Sequence, residues 1–265
     1  MNVPTSVAQH TGAIRRVEHP RLGANYETAI LVAERGHFVL KLASGAGPLA
    51  LLDQEAQVLA ALASMRPFVP EVVASVTEGE GRGYLYSYLP GENLVEVLER
   101  ADESSRRHLL GEYGRALRRV HSWTPDLPLP LGDWLDAALV RASERLEQGA
   151  VPDPIGADSI LDGREARSLL GEMEAQRVHF HSDVVFCHGD YCLPNVLAED
   201  LRVVGVIDWS NGGYADRRYD LATALWTIRF NLHDDRYLQP FLDGYGYRGT
   251  VESLRFFEAL YCFLT

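Results

Sequence analysis

Val185-Phe186-Cys187-His188-Gly189-Asp190-Tyr191-Cys192-Leu193-Pro194-Asn195-Val196-Leu197-Ala198-Glu199-Asp200-Leu201-Arg202-Val203-Val204-Gly205-Val206-Ile207-Asp208-Trp209 holds two short apolar runs, 196–198 and 203–207, on either side of a polar tetrapeptide. That is the pattern of a β-hairpin. Pairing about a turn centred near residues 200–201 sets Asn195, just before the first strand, beside Asp208, just after the second. Two oxygen donors at one end of a hairpin are a hard-ligand pair of the kind magnesium accepts together with phosphate oxygens and water. Asp190 precedes Asn195 by five residues in a loop interrupted by Pro194, so it can face the same point without belonging to the metal pair. The same polar residues would also serve as ordinary side-chain caps of a hairpin end.

Upstream, residues 26–42 read as two strands joined by a turn at 34–36. In the second strand the two-residue alternation puts Phe38, Leu40 and Leu42 on one face and turns Val39 and Lys41 to the other. Residues 49–63 carry Leu51, Leu52, Glu55, Val58, Leu59 and Leu62 at helical spacing, which places Glu55 on an apolar, inward stripe where a carboxylate needs a cationic partner. Short strands at 72–77 and 84–88 flank the turn-rich segment 79–83, and Pro90-Gly91 breaks the pattern. Beyond it the spacing predicts helices near 94–100, 103–122, 133–148 and 164–180, with a Pro-rich segment at 124–132 and an acidic loop at 151–162 between them. A small sheet with one helix, followed by a helical region, indicates an α+β chain of two lobes, 1–88 and 89–265, meeting at 87–91.

Composition narrows the function. Of 265 residues 46% are hydrophobic and 23% charged, which excludes disordered, collagenous and coiled-coil chains. Apolar runs such as 203–207 are too short to span a bilayer, and residues 1–16 lack the charged-then-apolar order of a signal peptide. A cytoplasmic chain with no membrane partner is expected. Three cysteines, Cys187, Cys192 and Cys262, form no disulfide framework, which agrees with a reducing compartment. The net charge of −12 argues against a nucleic-acid partner. It is carried almost wholly from Leu89 onward, and an acidic lobe suits a cationic substrate as well as it suits a plain solvated surface. Of 25 basic residues, 24 are Arg; Lys41 is the only lysine.

One Asp for the nucleophile, an Asn and an Asp for a metal, one Lys and one inward Glu form the set that phosphoryl transfer needs. The metal neutralises phosphates, the ammonium holds them, the Glu fixes the ammonium, and the remaining Asp orients or deprotonates an attacking hydroxyl. His188-Gly189-Asp190-x4-Asn195, then Val206-Ile207-Asp208-Trp209, then Ala215-Asp216-Arg217-Arg218-Tyr219-Asp220-Leu221-Ala222 resembles the aminoglycoside phosphotransferase family, distant relatives of protein kinases. The catalytic-loop stretch is especially similar to the neomycin/kanamycin 3'-phosphotransferases. The resemblance extends to Lys41, to Glu55 fourteen residues later, to 86–91 and to Val120-His121-Ser122. It implies a bilobal, protein-kinase-like fold with a small antiparallel-sheet N-terminal lobe and a mainly helical C-terminal lobe. It further implies ATP and Mg2+ as cofactors, Asp190 as the catalytic base, Asn195 and Asp208 as magnesium ligands, and Lys41 on the nucleotide phosphates with Glu55 as its partner. Backbone groups of Ser87 and Leu89 would hold the adenine ring, and Gly23 and Asn25 would lie in the turn covering the phosphates. His188 and Asp220 would support the catalytic loop.

The sequence departs from the family where the acceptor should sit. Leu193 stands where some relatives carry an acid, Phe230-Asn231 stand where paired acids are expected, and Ala259-Leu260-Tyr261-Cys262-Phe263-Leu264 stands where the family's terminal Leu-Leu-Asp-Glu-Phe-Phe pattern is expected. Asp153, Asp158, Asp162 and Glu165 are candidate replacement acids. The expected activity is ATP-dependent phosphorylation of a hydroxyl on a small molecule, an aminoglycoside or other antibiotic. Alternatives are a macrolide, a peptide antibiotic or a choline- or homoserine-like metabolite as acceptor, or a nucleotide-binding pseudoenzyme. A zinc site at Cys187, His188, Asp190 and Cys192 lacks the spacing of paired cysteine knuckles.

Overall fold

Alternating apolar and polar residues, helix caps and a two-residue turn build the architecture of this computed structural model, which describes residues 3–20, 26–78, 81–150 and 163–264. The chain divides into two units, Met1–Gly91 with Val204–Gly212, and Glu92–Val203 with Gly213–Thr265. Asp208 therefore groups with Lys41 in the first unit, and Asn195 with Asp190 in the second.

The first unit opens with α1 (Ala8–Thr11), followed by β1 (Ile14–Glu18), β2 (Glu27–Ala33), β3 (Gly36–Ala43), α2 (Ala46–Ala61), β4 (Val72–Glu78) and β5 (Gly81–Ser87). The five strands form one sheet in the order β1-β2-β3-β5-β4, every neighbouring pair antiparallel. Its register sets Lys41 between Thr28 and Tyr84. One face buries Ala29, Leu31, Leu40, Leu42, Val76 and Leu85 together with Val7, and Phe38 packs against this core. The other face turns Lys41 and Tyr86 toward α2, which packs on β3, β4 and β5. Each fully buried Leu contributes about 1.5–3 kcal/mol relative to exposure. A one-residue slip of β3 would trade Leu40 and Leu42 for Lys41, so the register is strongly fixed. Gly83 completes the approach: a Cβ there would lie 1.9 Å from the Lys41 carbonyl oxygen, so only glycine lets β5 come this close to β3.

The second unit begins with β6 (Glu92–Asn93), α3 (Leu94–Arg100), α4 (Glu103–Val120), α5 (Trp134–Glu147) and α6 (Gly163–Gln176). It continues through β7 (Val184–Cys187), β8 (Val196–Glu199), β9 (Arg202–Val206, running into the first unit at Val204), β10 (Gly213–Asp216), α7 (Arg217–Leu232), α8 (Leu238–Tyr245) and α9 (Arg255–Leu264). Side chains of Asn93, Asp102, Asp133 and Asp216 accept hydrogen bonds from first-turn N–H groups of α3, α4, α5 and α7, satisfying donors that a helix start leaves open. β7 pairs antiparallel with β10, and β6 with β8. At the turn after β8, Asp200 and Leu201 both take positive φ (46° and 60°), as the favoured two-residue hairpin turns require. The helix expected to 180 ends at Gln176 and passes into a single 3-10 turn, Arg177–His179.

Candidate active site

In the first unit, β3 and α2 bring the chain's only lysine onto a buried carboxylate. Lys41 Nζ donates to both oxygens of Glu55, at 2.8 and 2.9 Å. Glu55 is 1% exposed, and its remaining capacity is filled by the Tyr86 hydroxyl at 3.1 Å and the Trp209 N–H at 3.3 Å. The inward position that the helical stripe assigned to Glu55 is thus a fully bonded one. Lys41 Nζ also lies 3.5 Å from Asp208 Oδ1 and sits 5.4 and 5.6 Å from the ring centroids of Tyr26 and Tyr86, within cation–π range. Burial works against the ammonium charge, but Glu55 and Asp208 more than offset it, and the Lys41 pKa is raised. Burial, reinforced by the Glu55 charge, likewise raises the Tyr86 pKa, so its hydroxyl remains a donor.

Asp208 follows β9 in the left-handed region, φ 63°, an uncommon conformation for a non-glycine residue. Its neighbours hold it there: buried Trp209 donates its indole N–H to the Val206 carbonyl at 2.9 Å, and Ser210 Oγ donates to Asp208 Oδ1 at 3.2 Å. The side chain is about one-third exposed. At the end of β5, the Ser87 N–H donates to the Glu71 carbonyl at 2.9 Å and Ser87 Oγ accepts from the Glu71 N–H at 2.8 Å. Ser87 is also paired with Phe38 of β3 in the sheet register. The Leu89 side chain is buried. Gly23 and Asn25 lie outside the described residues, as do Asp153, Asp158 and Asp162. Glu165 is exposed in the first turn of α6.

In the second unit, the loop after β7 hangs on one buried carboxylate. Asp220, in the first turn of α7, accepts from the His188 N–H at 2.7 Å, the Gly189 N–H at 2.8 Å and His121 Nε2 at 3.2 Å. His121, the C-cap of α4, bonds Tyr245 through its other nitrogen at 2.9 Å. Burial pushes the Asp220 pKa up, yet these hydrogen bonds and the His121 and His188 rings outweigh it, and the pKa is lowered. Among the described residues, His121, Cys187 and Asp220 are the ones grouped closely enough to hold a metal ion. The Asp220 oxygens are already occupied, and the four residues with zinc-like chemistry in the sequence do not assemble into such a cluster.

Asp190 is partly buried and heavily bonded. Oδ2 accepts from Asn195 Nδ2 at 3.0 Å, and the same amide nitrogen donates to the Asp190 carbonyl at 3.0 Å. With the NH2 group spent on Asp190, the Asn195 side-chain oxygen is the end available as a hard ligand. Oδ1 accepts from the Tyr261 hydroxyl at 3.0 Å and from the Cys192 thiol at 3.1 Å. Neither contact was legible in the sequence: α9 lies 71 residues along the chain from Asp190, and Cys192 reads as an ordinary small hydrophobe. Alignment of the chain end with the family's terminal segment was the one signal pointing to Tyr261. Glu258, one turn before it, is buried and paired with Arg229 at 2.7 Å through both oxygens.

A family model described as "Phosphotransferase enzyme family" matches residues 18–257. An aminoglycoside 3'-phosphotransferase of Niallia circulans is 32% identical over 211 residues, covering 76% of this chain and 74% of that protein. A streptomycin 3''-kinase of Streptomyces griseus is 32% identical over 168 residues, covering 60% of this chain and 61% of that protein. Among solved structures, the aminoglycoside phosphotransferase APH(3'')-Id of Streptomyces rimosus, in complex with ADP and streptomycin, is 26% identical with a TM-score of 0.70, covering 92% of this chain and 94% of that one. The kinase-like fold is therefore shared with these proteins. The match over nearly the whole chain makes it a phosphotransferase with an alcohol group as acceptor, and the chain belongs to the aminoglycoside phosphotransferase family.

Proposed function

We propose that the chain transfers the γ-phosphoryl group of ATP to a hydroxyl of a small antibiotic of the aminoglycoside type. The observation that carries this reading is the arrangement around Lys41: the one ammonium available is held by a buried carboxylate, charged, beside Asp208. That is a group built to receive phosphate oxygens. The first unit would then bind nucleotide, with Lys41 on the phosphates, Glu55 orienting it and the Ser87 and Leu89 backbone meeting the base. The second unit would supply Asp190 and take the acceptor. Asp190 accepts the proton of the attacking hydroxyl as the oxygen–phosphorus bond forms and the bond to the ADP leaving group breaks. Asn195 and Asp208 offer the hard oxygens that suit Mg2+, which when bound neutralises the phosphate charge. Complexes of relatives with ADP and streptomycin, and with ADP and hygromycin B, support nucleotide and antibiotic as the two substrates. No described helix is long and apolar enough to cross a membrane, and a reaction that consumes ATP suits a cytoplasmic setting.

One observation favours an acceptor with fewer ammonium groups than kanamycin or neomycin. The acid on α9, Glu258, is already neutralised by Arg229, so the helix presents no unpaired carboxylate there. ADP release measured with MgATP across streptomycin, gentamicin, hygromycin B, kanamycin and a macrolide tests both statements. Turnover with at least one aminoglycoside is expected. Turnover with none of them would exclude the antibiotic assignment.

A further inference from the structure

A carboxylate has four lone-pair positions, two on each oxygen. In Asp190 both positions on Oδ1 are taken within the chain, by the Tyr261 hydroxyl at 3.0 Å and the Cys192 thiol at 3.1 Å, and one on Oδ2 is taken by Asn195 Nδ2 at 3.0 Å. A single position on Oδ2 remains.

The Tyr261 hydroxyl is held as firmly as the carboxylate it touches. Its ring is buried, with the Trp226 ring 5.4 Å away and the Tyr219 ring 5.9 Å away, centroid to centroid. One turn earlier on α9, Glu258 is tied to Arg229 of α7 by the buried ion pair, and Arg229 also meets Asp235 at 3.2 Å. The hydroxyl also lies 3.3 Å from Cys192 Sγ, so oxygen, sulfur and carboxylate close a triangle. The Leu193 N–H, next in the loop, donates to Thr227 Oγ1 of α7 at 3.3 Å. Burial and the neighbouring Cys192 and Asp190 raise the Tyr261 pKa, so the phenol keeps its proton.

We propose that α9 positions the catalytic carboxylate: Tyr261, with Cys192 beside it, occupies Oδ1 of Asp190 and leaves Oδ2 as the oxygen that receives the acceptor's proton. Tyr261 is a positioning residue, acting through Asp190. An unclamped carboxylate can rotate about its Cβ–Cγ bond and lose alignment with the attacking hydroxyl, and misplacement of a reacting group by about an ångström costs on the order of a hundredfold in rate. The inference rests on Asp190 being the base.

The test is steady-state ADP release by the full chain with MgATP, using streptomycin, gentamicin and hygromycin B as acceptors and water alone as the background reaction. Tyr261→Phe keeps the ring and removes the hydroxyl. It is expected to lower kcat between about tenfold and a hundredfold while the KM values for ATP and acceptor stay within about twofold. Cys192→Ala should move kcat in the same direction by a smaller factor, because a thiol is the weaker donor, and it carries the test should Tyr261→Phe fail to fold. Unchanged kcat in the folded variants, with Asp190→Asn inactive, would overturn the inference and leave the phosphotransfer reading intact. A raised acceptor KM with unchanged kcat would overturn it too, by making Tyr261 an acceptor contact. Full activity in Asp190→Asn would remove the base assignment itself and the inference with it, whereas no ADP release by the unaltered chain would overturn the phosphotransfer reading on which the inference rests.

Discussion

At the scale of single residues, the Lys41–Glu55 pair has separable structural and chemical duties. Lys41→Met leaves Glu55 as a buried carboxylate without its cation, and urea unfolding should show a loss of about 3–5 kcal/mol. Adding Glu55→Gln removes the stranded charge and keeps one oxygen to accept from either the Trp209 N–H or the Tyr86 hydroxyl, its NH2 taking the place of the other oxygen, so part of the stability should return while turnover does not. Recovery of turnover in the double variant would mean that Lys41 serves packing alone. Asp220 makes a pH-dependent contribution of known sign. Its pKa is lowered in the fold, so its stabilisation is complete above the unfolded carboxylate value of about 3.9 and is lost as pH falls through the lower folded value. The stability advantage of the unaltered chain over Asp220→Asn should therefore hold from pH 7 to about 4 and shrink below it, as followed by urea midpoints. A gap that widens on acidification would contradict the hydrogen-bonding role assigned to this carboxylate.

At the scale of elements, the loop that carries Asp190 rests on helices packed at close quarters, with Tyr191 and Tyr113 of α4 exchanging hydroxyl-to-carbonyl hydrogen bonds. α4 and α8 touch backbone to backbone: a Cβ on Gly244 would fall 2.1 Å from the Gly111 carbonyl oxygen. Neither chain has a flexible side chain there to move aside, so Gly244→Ala should destabilise the chain by about 1–3 kcal/mol or more, read as a lower thermal midpoint. Unchanged melting would show that the helices separate without cost. The elements themselves were legible in proportion to how locally they are specified. β2, β3 and α2 announce themselves by period-2 and helical spacing, and the turn at Asp200–Leu201 by its polar residues between apolar runs. β1 was not legible, because its Arg15, Arg16 and Val17 are all exposed on a sheet edge and show no alternation. β7 and β10 escaped because each has four residues and their paired positions, from Cys187 with Gly213 to Val184 with Asp216, are far apart in the chain, so no turn links them. The Tyr261–Asp190 contact escaped for the same reason at the level of the site: burial by distant elements leaves no local pattern.

At the scale of the whole molecule, the division of labour follows the chain's own grouping. Lys41, Glu55 and Asp208 belong to one unit, and Asp190, Asn195 and α9 to the other. Nucleotide affinity and phosphoryl transfer should accordingly respond to different substitutions. The direct measurement is Asp190→Ala, with ADP binding followed by calorimetry and phosphoryl transfer by ADP release from MgATP. Turnover should fall by about 10²–10⁴-fold, the usual worth of a general base, while the ADP dissociation constant stays within about threefold. Transfer at an undiminished rate would contradict the assignment of Asp190 as the group that takes the acceptor's proton.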